Sequence, residues 1–487
     1  MTITNANSLS NKVVKSGWWA LASKIISFSS FFIRSIVVAR VLSPTDFGLF
    51  GICIFVLGML EVFSESGITA ALIQKNEGHE NYLDIGWTVG ILRGTFIAFL
   101  LFFGAYTVSV FFAVPAIVPL LKVLALNRFM QGFENIGVVY FQKDLKFYKK
   151  FWYDSIIAVT NLCVTVILAY MLKSVWALVF GTLAATIVSL IISYILSAYR
   201  PKIEFNKQKM GELFVFGRWI FGSGILVFVG TQLDGAFVGK VLGATMLGYY
   251  QMAYKFTNPV FTDLIGSILT VVYPAYSKIQ NDKIKLKNAF NRVCHLVSSI
   301  SILSLIMMMF FSRDFVLVVL GAKWEQAIVL INILAVAGFF RVLSATAARV
   351  FLAIGKPSMD TKMQLYRVVI LIVTIYPLSQ LYGIAGIALS VVLGVSVTTF
   401  MLIYYIVKEL NIKTREFFQL YKGLAVCSAI TTVTILMLNS INSDPKAQLL
   451  LNAPLSVIVF GIVAYYFDFE LRKTINTLRN GFKIGSN

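Results

Sequence analysis

The sequence predicts an all-α polytopic membrane protein with 14 transmembrane helices, arranged as two pseudo-symmetric six-helix lobes plus a C-terminal helix pair. Three observations predict this fold: the composition, the distribution of Lys and Arg, and an internal repeat. Of the 487 residues, 58% are hydrophobic and 13% are charged, against roughly 45–50% and about 25% in soluble domains. At roughly 20 residues per bilayer crossing, this apolar content suffices for about 14 spans.

Apolar runs separated by short polar connections define the predicted helices. They cover residues 13–41, 46–74, 86–112, 116–140, 152–172, 176–198, 214–241, 247–277, 288–312, 326–354, 361–380, 383–408, 418–438 and 454–467. Runs longer than a minimal span are typical of tilted helices or of helices that extend beyond the lipid. The first run is too long for a signal-peptide core and no small-residue cleavage site follows it, so we expect it to be retained.

Basic residues are unevenly distributed between alternate connections, which predicts the orientation of the chain. One set of connections carries 28 Lys and Arg residues and the other carries 6. Cytoplasmic loops are enriched in Lys and Arg. We therefore expect the N-terminus in the cytoplasm. An even number of spans places the C-terminus on the same side.

An internal repeat appears when the chain is aligned with itself at an offset of 200 residues. Residues 17–50 align with residues 217–250 without a gap, and the matches include Gly17, Trp19 and Thr45 with their counterparts. Six predicted helices separate the copies, so both run in the same direction, as in transporters built from parallel repeats. The predicted organisation is an N-terminal lobe at 1–198, a cytoplasmic linker at 199–213, a C-terminal lobe at 214–410, and helices 13 and 14 with a tail at 411–487.

Of the 42 Lys and Arg residues, 34 are counted with the connections and the helix ends. The other eight lie deeper in the predicted spans, together with five acidic residues. An ionised group at the centre of a span costs roughly 2.5–3.5 kcal/mol on insertion scales, so these groups should face a water-filled cavity or one another. Two readings stay open for each: it lines a central cleft, or it pairs within its own lobe. The set is Lys24, Arg34, Arg93, Lys122, Arg128, Lys255, Arg341 and Arg349, with Glu61, Glu65, Glu134, Asp234 and Asp263.

Helical spacing predicts particular partners for some of these charges. Glu61 and Glu65 are i,i+4 neighbours, an unfavourable arrangement unless one is protonated or a cation faces them. Lys24, at nearly the same depth as Glu65, is the candidate cation. Arg34 aligns with Asp234 in the repeat, so the two could meet across the cleft as a gate.

Predicted helix 8 contains polar residues next to a proline. Asn258-Pro259 frees a backbone carbonyl and favours a kink, and Asp263 follows four residues later. This point is interpreted as a cation-coordination site, a hinge or a plain packing kink. Arg341 on helix 10 either lines the cleft or pairs with an acidic residue of helix 7 or 8.

Several classes of function are excluded or disfavoured. The net charge of +20 follows the cytoplasmic-loop bias, and no basic patch interleaved with aromatics predicts a nucleic-acid partner. The four cysteines and two histidines are too scattered for a metal site or a disulfide framework. No P-loop, dinucleotide fingerprint or nucleophile elbow is present, so we expect no enzyme and no cofactor. Transport would use a proton or sodium gradient, or the substrate gradient itself.

Two consecutive segments carry a family resemblance. Residues 39–48 (ARVLSPTDFG) and 63–74 (FSESGITAALIQ) resemble the start of polysaccharide-export flippases of the multidrug/oligosaccharidyl-lipid/polysaccharide (MOP) superfamily. The resemblance extends over the chain in its layout of 14 helices in two lobes and an extra pair.

The resemblance implies a bacterial plasma (inner) membrane flippase. Its cargo would be an undecaprenyl-diphosphate-linked oligosaccharide for lipopolysaccharide O-antigen, capsule or exopolysaccharide, with membrane lipids, a polysaccharide polymerase and glycosyltransferases as partners. A cationic cleft suits a diphosphate. The candidate substrate-binding residues are Lys24, Arg34, Arg93, Arg128, Lys255 and Arg341, and the candidate gating or ion-coupling residues are Glu61, Glu65, Asp234 and Asp263.

Three alternatives stay open. An organic-cation or drug antiporter of the same superfamily would favour a net acidic cleft, whereas this one has eight basic and five acidic groups. A transporter of free amino acids or sugars would favour Gly-rich breaks at the midplane of both lobes. A membrane glycosyltransferase or polymerase would be expected to carry a large extracytoplasmic loop.

Overall fold

Helices account for nearly all of the residues that the structure describes. The computed structural model describes residues 3–64, 83–143, 146–413, 419, 421–441, 444–469 and 471–472, and these residues form no strand. Helices satisfy their backbone N–H and C=O groups internally, which a chain surrounded by lipid requires. The all-helical part of the prediction is therefore confirmed for the described residues.

Each predicted apolar run corresponds to a helix, and we number the helices α1 to α14 accordingly. The first seven are α1 (Ile3–Val41), α2 (Pro44–Phe63), α3 (Leu83–Phe112), α4 (Ile117–Gln131), α5 (Phe147–Leu172), α6 (Trp176–Leu196) and α7 (Lys207–Val241). A 3₁₀ turn (Ile136–Val139) and a short helical turn (Tyr140–Lys143) follow α4. α4 is thus shorter than predicted.

Three helices in the second half of the chain contain or adjoin a π-helical turn. α8 runs from Gly243–Asn258 through a π-helical turn (Pro259–Asp263) into Leu264–Lys278, and α9 (Lys283–Phe315) ends in another (Val316–Leu320). The remaining helices are α10 (Ala327–Ala353), α11 (358–382), α12 (384–409), α13 (Lys422–Ile441) and α14 (Ala453–Phe467), the last preceded by Pro445–Ala447 and a π turn (Gln448–Asn452). Asn258-Pro259 therefore marks a real irregularity in α8, as predicted.

Gly383 divides a continuous helical run into α11 and α12. Its φ of 57° and ψ of −134° are accessible to glycine but costly for other residues. A Cβ added at Gly386, in the next turn, would overlap the carbonyl oxygen of Leu378. The two glycines allow the chain to reverse within a few residues.

Eleven helices among the described residues are long and apolar enough to cross a membrane. That set counts α11 and α12 as a single run (Ser358–Glu409), and it omits α4, which has 15 residues, and the interrupted α8. A multi-pass membrane protein is therefore supported, and fourteen crossings stay a prediction.

The chain divides into two compact units. The N-terminal unit consists of Met1–Phe228 and Gly235–Gly248, and the C-terminal unit of Val229–Asp234 and Tyr249–Asn487. The predicted boundary at 199–213 differs from this division, because most of α7 belongs to the N-terminal unit. The ring of Phe228 stacks on that of Phe55, with centroids 5.6 Å apart, which helps to hold α7 against α2.

The turn into α2 and the turn into α8, which are equivalent in the repeat, meet inside the N-terminal unit. A Cβ added at Gly48 would overlap the carbonyl oxygen of Ala244, and one added at Gly248 would overlap that of Pro44. Between them, the hydroxyl oxygens of Thr45 and Thr245 lie 2.8 Å apart. Each contact is the other shifted by 200 residues, so the two copies touch through a reciprocal, two-fold-like contact. We call these two segments, 44–48 and 244–248, the repeat junction.

A capping box shapes the first half of the repeat junction. The backbone N–H of Ser43 donates to Oδ2 of Asp46 at 2.9 Å, and the Asp46 N–H donates to the Ser43 hydroxyl at 3.2 Å. Such reciprocal capping fixes the start of a helix. Oδ1 of Asp46 also accepts from the N–H of Val175 at 2.9 Å, which ties α2 to the connection between α5 and α6.

The connection between α6 and α7 lies along the start of α3. Asp84 Oδ1 accepts from the N–H of Lys202 at 2.6 Å, and the Thr88 hydroxyl accepts from the N–H of Glu204 at 3.0 Å. Tyr199 also donates to Asp84, and burial together with this carboxylate raises the pKa of Tyr199. The predicted basic linker is therefore fixed to the N-terminal unit.

Gly48→Ala should destabilise the protein, because the added methyl group would overlap a backbone oxygen that cannot move without separating α2 from α8. Overpacking of this kind costs about 1–3 kcal/mol, which we expect as a lower melting temperature and less folded protein in detergent. Gly104→Ala, in α3, is the matched control, since its Cβ would meet nothing within 4 Å. Equal melting temperatures for the two variants would show that the repeat junction is not tightly packed.

Candidate functional site

A cavity in the N-terminal unit lies among α3, α4 and α5. Its volume is about 520 Å³. We call it the N-lobe cavity. Its lining residues are Gly86, Trp87, Gly90, Arg93, Gly94, Ile97, Arg128, Gln131, Gly132, Glu134, Asn135, Ile136, Val138, Val139, Lys150 and Tyr153.

Close packing of α3 on α4 gives this cavity a wall of backbone. A Cβ added at Gly94 would lie 2.9 Å from Cα of Gly132 and 3.0 Å from the carbonyl oxygen of Arg128. Small residues permit such close helix approach in membranes. The wall therefore presents backbone atoms between the charged side chains of the two helices.

Arg93 reaches from α3 to the end of α2. Its Nε donates to the Ser64 hydroxyl at 3.1 Å, and its Nη2 donates to the carbonyl oxygen of Glu61 at 2.8 Å. The last carbonyls of a helix lack intrahelical partners and carry partial negative charge. Arg93 thus caps α2 and also presents a cation to the cavity.

Arg128 is held by two side chains. Its guanidinium forms an ion pair with the Glu61 carboxylate and donates to Oε1 of Gln131. The structure therefore pairs the Glu61 carboxylate with Arg128, and Lys24 as the cation facing the Glu61/Glu65 pair stays a prediction. Glu65 lies outside the described residues.

Two more carboxylates lie beside the cavity. Glu134 accepts from the Ser189 hydroxyl at 2.8 Å and from the Tyr153 hydroxyl at 3.5 Å. Asp154 bonds to Lys150 at 3.0 Å and accepts from the Ser23 hydroxyl at 3.0 Å. The basic groups on the cavity wall thus have acidic groups close to them.

Lys150 was not among the predicted site residues, because the distribution of basic residues assigns it to a cytoplasmic connection. The structure places it in the first turn of α5, at the cavity wall. Its i,i+4 spacing from Asp154 was the only signal in the sequence.

Arg34 lines a second cavity, of about 320 Å³, between α1 and α5. Its guanidinium donates to Oδ1 of Asn161, and Ser27, Ser30 and Asp154 share the lining. The partner of Arg34 in the N-terminal unit is thus an amide, and its role at a cargo site stays a prediction.

A polar cluster in the C-terminal unit is centred on Asp234. This side chain is 3% exposed, and its Oδ2 accepts from the hydroxyls of Tyr250 at 2.7 Å and Tyr254 at 2.6 Å. Arg341 donates to Oδ1 of Asn258 at 2.9 Å and lies over the Tyr254 ring, 5.8 Å from its centroid. Asp234 and Arg34 therefore each bond within their own unit, and the predicted gate between them stays a prediction.

Arg367 joins this cluster, although its place near the start of the predicted run 361–380 groups it with the basic residues of a cytoplasmic connection. It lies nine residues after the start of α11, about 13 Å along the helix. A Cβ added at Gly230 would be 2.8 Å from its Nη2. The absence of a side chain at Gly230 therefore makes room for the guanidinium.

The remaining predicted residues are partly described. Lys24 is exposed on α1, and Lys255 is half-buried on α8, one residue after Tyr254. The side chain of Asp263 lies outside the described residues. The structure therefore brings Arg93, Arg128 and Glu61 together in one unit, and Asp234 and Arg341 in the other.

The fold is similar to solved transporter structures. The lipid II flippase MurJ in an inward closed conformation matches with a TM-score of 0.76 and 17% identity, over 93% of this chain and 99% of that one. An inward-facing multidrug resistance MATE family transporter of the MOP superfamily matches with a TM-score of 0.66 and 14% identity, over 80% and 98%. The chain thus shares its fold with these two solved proteins.

Sequence comparison narrows this class. A family model described as polysaccharide biosynthesis protein matches residues 37–329, more than half of the chain, and the chain belongs to that family. Lipopolysaccharide biosynthesis protein WzxC of Escherichia coli (strain K12) is 24% identical over 405 residues, 82% of each chain. Succinoglycan biosynthesis transport protein ExoT of Rhizobium meliloti (strain 1021) is 24% identical over 328 residues, 66% of this chain and 65% of its own. The predicted family is confirmed.

Tyr250→Phe should destabilise the C-terminal unit, because it removes a hydrogen bond to the buried Asp234 carboxylate. Hydrogen bonds to charged groups contribute about 1.5–3 kcal/mol, and the loss should appear as a lower free energy of unfolding in detergent. Tyr249→Phe is the matched control, since the Tyr249 ring packs on Trp324. Equal stability of the two variants would contradict the role of Tyr250.

Proposed function

We propose that this protein moves an undecaprenyl-diphosphate-linked oligosaccharide from the inner to the outer leaflet of a bacterial plasma membrane for surface polysaccharide assembly. The N-lobe cavity is the observation that carries this proposal. Its volume of about 520 Å³ lies within the range of small-molecule sites, and two arginines from different helices converge on it. The names of the relatives, which refer to lipopolysaccharide biosynthesis and succinoglycan transport, support the same class of cargo.

The chemistry of the cavity suits a diphosphate joined to a sugar. Guanidinium groups bind phosphate oxygens through two parallel N–H bonds, and Arg93 and Arg128 supply such groups beside Lys150. Trp87 and Tyr153 line the same cavity and provide aromatic surface for a sugar ring. The diphosphate would bind the basic groups, and the polyprenyl tail would stay in lipid.

Other predicted residues take complementary roles in this proposal. Lys24, Arg34, Lys255 and Arg341 would guide the headgroup and sugars along the transport path, while Asp234 and Asp263 would take part in gating or ion coupling. Both termini would be cytoplasmic, and a proton or sodium gradient would drive the cycle. Polysaccharide polymerase and glycosyltransferases are the proposed partners.

The organic-cation antiporter shares this fold and makes a different prediction. Loss of a cavity cation should impair the export of an anionic cargo, whereas a site for organic cations should tolerate or benefit from that loss. Basic groups on the N-lobe cavity wall therefore discriminate between the two functions.

Arg128→Gln should reduce surface polysaccharide at least tenfold, because a bidentate cation is lost at the proposed diphosphate site. A loss of about 1.5–3 kcal/mol corresponds to roughly 10- to 100-fold. The measurement is surface polysaccharide in a strain whose own gene is deleted, normalised to membrane-inserted protein. Lys122→Gln is the matched control on the same helix, since Lys122 is exposed and lies over the Phe102 ring. Normal polysaccharide with Arg128→Gln would contradict the proposed site.

Cysteines at Thr45 and Thr245 test alternating access. The two hydroxyls are 2.8 Å apart and both residues are exposed, so an oxidant should cross-link the double variant in a background without the native cysteines. We expect the cross-linked protein to stop transporting in proteoliposomes and to recover with dithiothreitol, because the repeat junction must open in each cycle. Single-cysteine variants serve as controls. Full transport by the cross-linked protein would show that the junction stays closed throughout.

A further inference from the structure

The cations of the N-lobe cavity already have partners within the protein. Arg128 is paired with Glu61, Arg93 is bonded to Ser64 and to a backbone carbonyl, and Lys150 is paired with Asp154. A diphosphate can therefore bind these groups only by replacing some of their present partners.

The Arg128–Glu61 pair is the one best suited to such a replacement. The Arg128 side chain is 19% exposed and that of Glu61 is 41% exposed. Gln131, one turn away on α4, also bonds to the Arg128 guanidinium. The carboxylate is thus the more accessible partner, and the guanidinium keeps a second partner when the carboxylate leaves.

Carboxylates and phosphates bind a guanidinium through the same forked pair of hydrogen bonds. The guanidinium of Arg128 cannot form both hydrogen bonds of this pair with a carboxylate and with a phosphate at the same time. Among the described residues, an Arg128 with no anion on its fork would keep only the nearby Glu134 as a compensating charge, and a desolvated, poorly compensated cation among apolar helices is costly.

We propose that Glu61 is an internal counter-anion that occupies Arg128 in the empty transporter and is displaced by the cargo diphosphate. This inference rests on the proposed function and assigns Glu61 a role in the transport cycle. When cargo is bound, the diphosphate compensates Arg128. When cargo has left, Glu61 returns, so the empty protein changes conformation without an uncompensated charge.

This role has a signature that a simple binding or structural residue does not share. Removing a competitor tightens cargo binding, while losing the counter-anion slows the return of the empty protein. Glu61→Gln should therefore bind diphosphate more tightly and transport more slowly. A residue that only positions Arg128 should, when changed, weaken binding.

The test uses the full chain in nanodiscs with farnesyl diphosphate as the probe, and proteoliposomes for transport of a polyprenyl-diphosphate-linked oligosaccharide. We expect Glu61→Gln to bind farnesyl diphosphate at least fivefold more tightly than wild type and to transport at least fivefold more slowly. Glu61→Asp, which keeps the charge on a shorter side chain, should fall between them, and it carries the test if Glu61→Gln does not fold.

Glu409→Gln is the matched control, because Glu409 forms an ion pair with Lys356 at 2.7 Å on the exposed surface of the C-terminal unit. It should change neither binding nor transport. Unchanged or weaker binding by Glu61→Gln, or unchanged transport, would overturn the inference while the wild-type protein still transports. If wild type neither binds farnesyl diphosphate nor transports the lipid-linked oligosaccharide, the proposed function fails together with the inference.

Discussion

Charge compensation among apolar helices is the constraint on which the candidate site depends. The described ion pairs and hydrogen bonds show three solutions. Arg128 uses a carboxylate, Arg93 uses the end of a helix, and Arg34 uses an amide. Each solution draws residues of different helices together, so the same interactions that permit membrane insertion also define the cavity walls.

Much of the fold could be predicted from the sequence, because the bilayer imposes a simple rule on helix length. Every predicted apolar run corresponds to a helix, and the irregular turn at Pro259 falls where proline removes a backbone donor. The repeat was also visible, since the equivalent glycines Gly48 and Gly248 occupy equivalent, tightly packed positions. Helix ends were less predictable. α4 stops early because a turn at 132–135 interrupts it, at Gly132, Glu134 and Asn135, whereas the prediction continued the helix through these residues to 140.

The pairing of charges was much less predictable. Depth along a helix says how far a residue lies from the membrane surface, and it does not say which helix lies opposite. Depth matches Lys24 to Glu65, whereas the neighbouring Glu61 is paired with Arg128 because α4 lies beside α2. Arg367 was counted with a cytoplasmic connection although it lies inside the predicted run 361–380, and the space for it depends on a glycine of a distant helix. These pairings depend on which helices pack side by side, and the hydrophobic periodicity of a sequence does not determine that.

The repeat junction also restricts how this gene can change in length. Each of its two glycines packs on backbone atoms of the other segment of the junction. Their positions along the helices therefore matter more than the side chains around them. One inserted residue in either turn would rotate the following helix by about 100° and bring Phe47 or Leu247 to the place of the glycine. Substitutions nearby can be absorbed by repacking, whereas a single insertion or deletion in 44–48 or 244–248 would separate the two copies.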